Sequence, residues 1–250
     1  MEISSRRWTQ LTRAFLDGTL ATFWPPTCIL CGCDGQIPTR DLCVDCEADL
    51  IGNEPSCSIC AEPLMAATTA HCGACIKRKP RFDRVICAFR YTYPLDHLIR
   101  GLKYRNAASY ARVLGDLLAM RIRHRHEHLP ELIIPVPLAT GRFRERGFNQ
   151  ALELGRQLER HLRVPMRTDV IVRTRETPEQ AGLDQKTRRK NIRGAFEAVN
   201  TLAERHVAVV DDVVTTGSTA NEVAKVLKRA GARRVEVWAV ARAAKQSLIT

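Results

Sequence analysis

Two adjacent carboxylates, Asp211 and Asp212, follow the apolar run Val207 to Val210 and precede, after two valines, the stretch Thr215-Thr216-Gly217-Ser218-Thr219. Three threonine hydroxyls, one serine hydroxyl and a glycine that lets backbone come close are suited to a phosphate, above all where the free N–H groups of a helix amino end join them. Phosphate alone does not want two carboxylates beside it. The pair makes sense if the ligand also carries sugar hydroxyls to be accepted, or shares a divalent cation. The ligand implied is a sugar phosphate with magnesium. The competing reading is a solvated acidic turn before an ordinary helix cap, but a cap needs one hydroxyl and not four. Two commoner phosphate motifs, GxxxxGK followed by Ser or Thr, and GxGxxG after a strand, are absent.

These groups need elements to hold them. Val207 to Val210 has the composition of a strand buried on both faces, with Asp211 and Asp212 expected where it leaves the sheet. Ala220 to Ala230 places Val223, Val226, Leu227 and Ala230 on one helical face, Gly231 stops the helix, and Val235 to Val240 is a second strand. The segment therefore reads as strand, crossover helix and parallel strand, whose ligands bind at the carboxyl ends of the strands. Further strands are expected at Arg84 to Tyr91, at 132–138 (LIIPVPL) and at 169–173 (DVIVR), and helices at Leu98 to Leu102, Ala107 to Arg121 and Gln150 to Leu162. This alternation predicts an α/β domain with a mostly parallel sheet flanked by helices.

Eight of the ten cysteines form four CxxC pairs: Cys28/Cys31, Cys43/Cys46, Cys57/Cys60 and Cys72/Cys75. Eleven residues separate the first pair from the second, and the third from the fourth, so the segment repeats with an offset of 29. Two thiolates on a tight knuckle can occupy two corners of a tetrahedron, and two knuckles complete a four-cysteine zinc site. The repeat predicts a double zinc ribbon holding one or two structural zinc ions. A disulfide framework would need an oxidising compartment, for which the sequence carries no signal. Equal gaps favour sequential pairing, although spacing also allows Cys28/Cys31 to share a metal with Cys57/Cys60. Cys33 and His71 are spare donors, Cys33 being read as a free thiol, and Cys87 in VICAFRY as a small buried hydrophobe. Four thiolates per metal leave no position for catalytic water, so the ribbon is structural or a docking surface.

The stretch VVDDVVTTGST resembles the 5-phosphoribosyl-1-pyrophosphate (PRPP) motif of type I phosphoribosyltransferases. That resemblance implies that Asp211 and Asp212 contact the ribose, and that Thr215, Thr216, Gly217, Ser218 and Thr219 wrap the 5-phosphate, with Val213 taken as part of the same PRPP-binding motif. It also implies that the turn after the first long strand, here Pro137 to Thr140 with Pro137 and Leu138 as its candidate ligands, touches the pyrophosphate. A mobile basic loop would close over the leaving group. Here that is the segment 173–196, with Arg173, Arg175, Lys186, Arg188, Arg189, Lys190 and Arg193. Arg188 stands for it among the candidate catalytic residues, although the sequence does not distinguish the seven. Together with the CxxC pairs, LKY at Leu102 to Tyr104 and RGFNQ at Arg146 to Gln150, the chain is similar to the competence protein ComF family, including its GntX-type members. The resemblance implies a double zinc ribbon fused to a type I phosphoribosyltransferase fold, and a role in natural transformation or DNA uptake. A single-stranded DNA or DNA-uptake helicase partner is implied with it. Lys103 becomes a candidate catalytic residue through this resemblance alone; by pattern it is a lysine of an amphipathic helix.

With 250 residues, 45% of them hydrophobic, the chain has room for one α/β domain and a smaller appendage. The expected division is an N-terminal helical segment (1–24), the double zinc ribbon (25–80) and the phosphoribosyltransferase domain (81–250). Trp8, Leu11, Phe15, Leu20 and Phe23 could stripe that first helix; arginines are few and an aspartate interrupts, which favours packing on protein over a membrane surface. No apolar run reaches the length of a membrane span, and a cytoplasmic protein is expected. The net charge of +12 permits a nucleic-acid partner, through clusters at Lys77 to Arg81, Arg121 to Arg125 and Lys186 to Arg193. Aromatic residues, at 6%, are not interleaved with these clusters as stacking on single strands would favour.

Overall fold

Four runs rich in valine, isoleucine and alanine form the central sheet: β1 (Arg84–Arg90), β2 (Leu132–Pro135), β5 (His206–Val214) and β6 (Arg234–Arg242). Their order is β1-β6-β5-β2, and every pairing is parallel. Residues Val207 to Val210 are fully buried, as a strand covered on both faces must be. The computed structural model describes residues 26–244 other than 37–39, 66–68, 105–106, 126–127, 140, 142, 145–146, 176–189 and 204. The N-terminal helical segment, Thr140, Arg142, Arg146, Lys186, Arg188 and Arg189 lie outside the described residues.

Helices α3 (Leu95–Tyr104), α4 (Ala107–Arg125), α5 (Gln150–Leu162) and α6 (Ser218–Arg229) pack on this sheet or on one another, while α1 (Val44–Ala48) and α2 (Gly73–Lys77) are single turns in the cysteine-rich region. Gln150–Leu162 has the bounds the pattern predicts, with Asn149 capping it by accepting from the Ala151 N–H. Gly101 seats α3 against α4, since a Cβ there would lie 2.2 Å from the Tyr110 ring. No helix of the described residues is long and apolar enough to cross a membrane.

Two sequence expectations need correction. The strand does not leave the sheet at Asp211: β5 runs on to Val214, with Asp211 opposite Ala239 and Val213 opposite Ala241. The ladder persists because β6 extends equally far, to Arg242, and offers its backbone as partner. The segment 169–173 contributes β3 (Ile171–Arg173), which pairs antiparallel with β4 (Phe196–Ala198) and not with the parallel sheet. These two short strands are joined by the basic segment, whose ends Thr174 and Ala195 are hydrogen-bonded at 3.0 Å.

The chain forms two compact units, Met1–Leu50 and Ile51–Thr250. One cysteine knuckle pair falls in each. Within the second unit, residues 51–59 cover the outer edge of β1: Gly52 bridges Phe89, the Asn53 N–H donates to the Ala88 carbonyl, and the Val85 N–H donates to the Ile59 carbonyl. A sheet edge that would otherwise expose unpaired backbone is closed in this way.

Candidate functional site

Because β5 extends through both aspartates, Asp211 and Asp212 stand on rigid backbone at the carboxyl edge of the sheet. An Asp211 oxygen accepts the Asp212 N–H at 2.9 Å, and Asp212 Oδ1 accepts the Val213 N–H at 2.7 Å. Lys103, on α3, reaches the other Asp212 oxygen, with Nζ 2.9 Å from Oδ2. Burial works against the ammonium charge, but the Asp212 carboxylate outweighs it and holds the Lys103 pKa above its ordinary value. Burial, and next the charge of Asp212, push the Asp211 carboxyl up to about 8. Two carboxylates against one lysine leave this edge short of positive charge, which is the condition a divalent cation relieves.

Thr215 to Gly217 make the turn from β5 into α6, and Ser218 and Thr219 are already in the first helical turn. Gly217 is the N-cap, with φ of 73°, a left-handed conformation that glycine adopts without strain. No side chain caps this helix; Thr216 Oγ1 instead lies 2.8 Å from Ser218 Oγ and accepts from the Ser218 N–H at 3.3 Å. The Thr216 and Ser218 hydroxyls therefore meet at the amino end of this helix. Pro137 and Leu138, both half-buried, follow β2 at the same carboxyl edge. The Asn149 side chain donates to the Val136 carbonyl at 3.0 Å and so ties that turn to the start of α5. At the base of the basic segment, the Gly194 N–H donates to Glu222 on α6 at 3.1 Å.

The structure thus brings Asp211, Asp212, Val213, the Thr215–Thr219 stretch and Lys103 together, and leaves Arg188 outside the described residues. One residue that sequence reasoning missed is Arg242, the last of β6 and 2% exposed. Its guanidinium donates to the carbonyls of Val214 (2.9 Å), Thr215 and Ala243 (2.7 Å), to the Cys60 carbonyl (3.1 Å) and to Glu62. In the sequence it is only an arginine just beyond the apolar run Val235 to Val240.

The cysteines gather as Cys28, Cys31, Cys43 and Cys46, and as Cys57, Cys60, Cys72 and Cys75, each set with its four sulfurs within 4.8 Å of one another. Pairing is sequential. The Cys31–Cys43 and Cys60–Cys72 sulfur separations are 3.7 and 3.5 Å, close to the edge of about 3.8 Å that a tetrahedron of ~2.3 Å zinc–sulfur bonds requires. Burial opposes ionisation of Cys28 and Cys57, but backbone N–H donors of their knuckles bring them down to about 6 and about 7. The donor sets and spacing fit structural zinc in both places, and zinc there would supply folding energy, not chemistry. Cys33 and His71 belong to neither tetrad; Cys87 is buried in β1, as expected. Of the basic clusters, Arg121 and Arg125 both face the exposed Glu54, which offsets part of their charge.

Two parts of the chain match known protein domains. Residues 19–76 match the double zinc ribbon domain, and residues 149–248 the phosphoribosyl transferase domain. The chain is 38% identical to competence protein F of Haemophilus influenzae, over 90% of its own length and 100% of that protein. It is 36% identical to the DNA utilization protein YhgH of Escherichia coli O157:H7, over 87% of its own length and 97% of that protein. A solved structure described as the allosteric regulatory enzyme of purine biosynthesis is 20% identical, covers 54% of this chain and 26% of that one, and has a TM-score of 0.37.

Proposed function

The chain belongs to the competence protein F family, and we propose that it binds PRPP with magnesium and transfers the phosphoribosyl group to a nitrogen acceptor. The observation that supports this most is the acid pair on β5 facing a hydroxyl-lined helix amino end, with Lys103 on Asp212 at 2.9 Å. In this reading Asp211 and Asp212 accept the ribose hydroxyls, and the backbone and hydroxyls of Thr215 to Thr219 enclose the 5-phosphate. Magnesium, shared with the pyrophosphate, would neutralise charge on the leaving group. Lys103 pairs with Asp212 and fixes its orientation. Pro137 and Leu138 present the backbone turn toward the pyrophosphate, and the cations of the basic segment, Arg188 among them, would meet the charge of the leaving group. The acceptor nitrogen forms a bond to the anomeric carbon as the bond to pyrophosphate oxygen breaks, so the bonding pair leaves with pyrophosphate. The two carboxylates favour the positive charge that develops on the ribose between these events.

The relatives' names speak of competence and DNA utilization, and the net charge is +12, which supports a place for this activity in DNA use. A second reading keeps PRPP as a signal that a DNA-associated accessory protein senses without turnover. Calorimetric titration of PRPP with magnesium into the zinc-loaded protein, with Asp212→Asn as control, tests the site. Saturable binding lost in the variant is expected. Absence of binding by folded protein overturns both readings, and binding without turnover on any nitrogen acceptor favours the second.

A further inference from the structure

We propose that Arg242 is a positioning residue for the phosphate loop, and that the second cysteine tetrad acts on the ligand site through it. The part of this that concerns ligand affinity rests on the PRPP reading above. The part that concerns the loop itself does not.

The chain of contacts runs as follows through one compact unit. Arg242 is 2% exposed, and its charge is met by Glu62, two residues after the metal-ligating Cys60. Its Nε donates to the carbonyl of Cys60 itself, at 3.1 Å. One amino group of the same guanidinium holds the carbonyls of Val214 and Thr215, where β5 turns into the hydroxyl stretch. A peptide unit is planar and trans, so a carbonyl fixed toward the arginine points the N–H of the next residue away from it. The amides thus oriented are those of Thr215 and Thr216, the first two of the candidate phosphate loop. A planar guanidinium with five fixed donors can bridge a knuckle and a loop in this manner; a lysine cannot.

Two properties make the bridge consequential. Glu62 is the carboxylate facing the buried Arg242 guanidinium, and removing one member of a buried pair leaves an uncompensated charge. The Cys60 carbonyl is placed by the knuckle, and the knuckle's shape depends on whether Cys57 and Cys60 share a metal. Zinc in the second tetrad therefore orders the phosphate loop without touching the ligand. Nothing equivalent follows for the first tetrad, where Cys33 occupies the position that Glu62 holds in the repeat.

The test compares wild type, Glu62→Gln and Arg242→Lys, all zinc-loaded, with Cys28→Ser as the variant that disturbs only the first tetrad. Amide hydrogen exchange over residues 215–220 is followed in the ligand-free protein, with α5 as internal reference. Glu62→Gln, which preserves shape and removes charge, should raise loop exchange about tenfold or more while α5 stays protected, since it leaves the buried guanidinium without its counter-charge. PRPP affinity should fall by a similar factor. Arg242→Lys should do the same or more, and Cys28→Ser should do neither. Loop exchange equal to wild type in Glu62→Gln and in Arg242→Lys overturns the proposal. If wild type shows no PRPP binding, the functional reading fails, and the exchange measurement still decides this one.

Discussion

The two cysteine repeats have one local structure and two different surroundings. Offset by 29 residues, Gly32 and Ala61 donate to the carbonyls of Cys28 and Cys57, both at 2.9 Å, and Cys28 and Cys57 donate to the carbonyls of Cys33 and Glu62 at 2.7 and 2.8 Å. The bridges Thr27 to Asp34 and Ser56 to Pro63 correspond, as do helices α1 and α2. Spacing of the thiols therefore dictates the knuckles, whatever lies between. What differs is what each knuckle touches. In the second repeat Ala61 is in the hydrophobic core with Phe82 and Val85, Ile59 and Cys60 pack against it, and the buried Asn53 donates to the Ala61 carbonyl at 2.9 Å. In the first repeat Gly32 and Cys33 are exposed, and Glu47 accepts from Gln36 at 2.6 Å and from Arg40 at 2.7 Å within the ribbon itself. A duplicated metal fold has thus been kept in one copy as a self-contained piece and built into the α/β unit in the other.

The largest expected consequence is unequal dependence on metal. Replacing Cys57 by Ser should destabilise the Ile51–Thr250 unit by several kcal/mol and lower its melting temperature by about 10 °C or more, because the second knuckle carries part of that unit's core. Cys28→Ser should cost zinc in the first tetrad and leave that melting temperature within about 1 °C. Calorimetric melting with zinc counted by a chromogenic chelator checks both, and equal losses in the two variants would erase the distinction drawn between the repeats.

Much of this was legible beforehand, and what escaped has a common cause. Thiol spacing, the βαβ pattern and the acid pair are local, and local signals survive in a single sequence. Lys103 became a candidate only by resemblance because its partner, Asp212, lies over a hundred residues away. Arg242 escaped for the same reason: its partners Cys60 and Glu62 are about 180 residues distant. The position of Asp211 within the strand was misjudged because ladder length is decided by the partner strand and not by the strand's own residues. Arg188 and the rest of the basic segment carry no periodicity, and the family resemblance alone made them candidates.

A second way to sharpen the comparison is pH. Asp211 is a carboxyl whose folded pKa is raised, to about 8, above its ordinary value of 3.8. Between those limits the folded state holds a proton the unfolded state has released, so this group makes the Ile51–Thr250 unit less stable as pH rises. Below about 4 the penalty is absent, and above about 8 it is constant. Asp211→Asn should therefore melt higher than wild type by a margin that grows from pH 4 to 8 and then levels, with ligand binding lost. The first tetrad goes the other way, since thiolates bind metal better as protons leave. A margin that does not change with pH would mean that Asp211 is ionised in the ligand-free protein.

The smallest effect isolates what integration of the second repeat does to a single residue. Gly32 and Ala61 are equivalent, with φ of 79° and 55°, and both lie in the left-handed region that disfavours a Cβ. A Cβ on Gly32 would meet nothing within 4 Å, so Gly32→Ala carries the conformational cost of ~1–2 kcal/mol, offset only by the ~0.5–1 kcal/mol that the stiffer unfolded chain returns. Zinc retention in the first tetrad should fall roughly three- to fourfold in competition with a chelator. Ala61→Gly removes a similar strain, but it also loses a buried methyl, ~0.8 kcal/mol, and frees the unfolded chain by ~0.5–1 kcal/mol. These oppose one another, and urea unfolding should show a change within about 0.5 kcal/mol. A gain of more than about 1 kcal/mol in Ala61→Gly would mean that the methyl contributes nothing to the core. The alanine would then be an unrelieved strain, and contact with the sheet would no longer explain why the two repeats differ at this position.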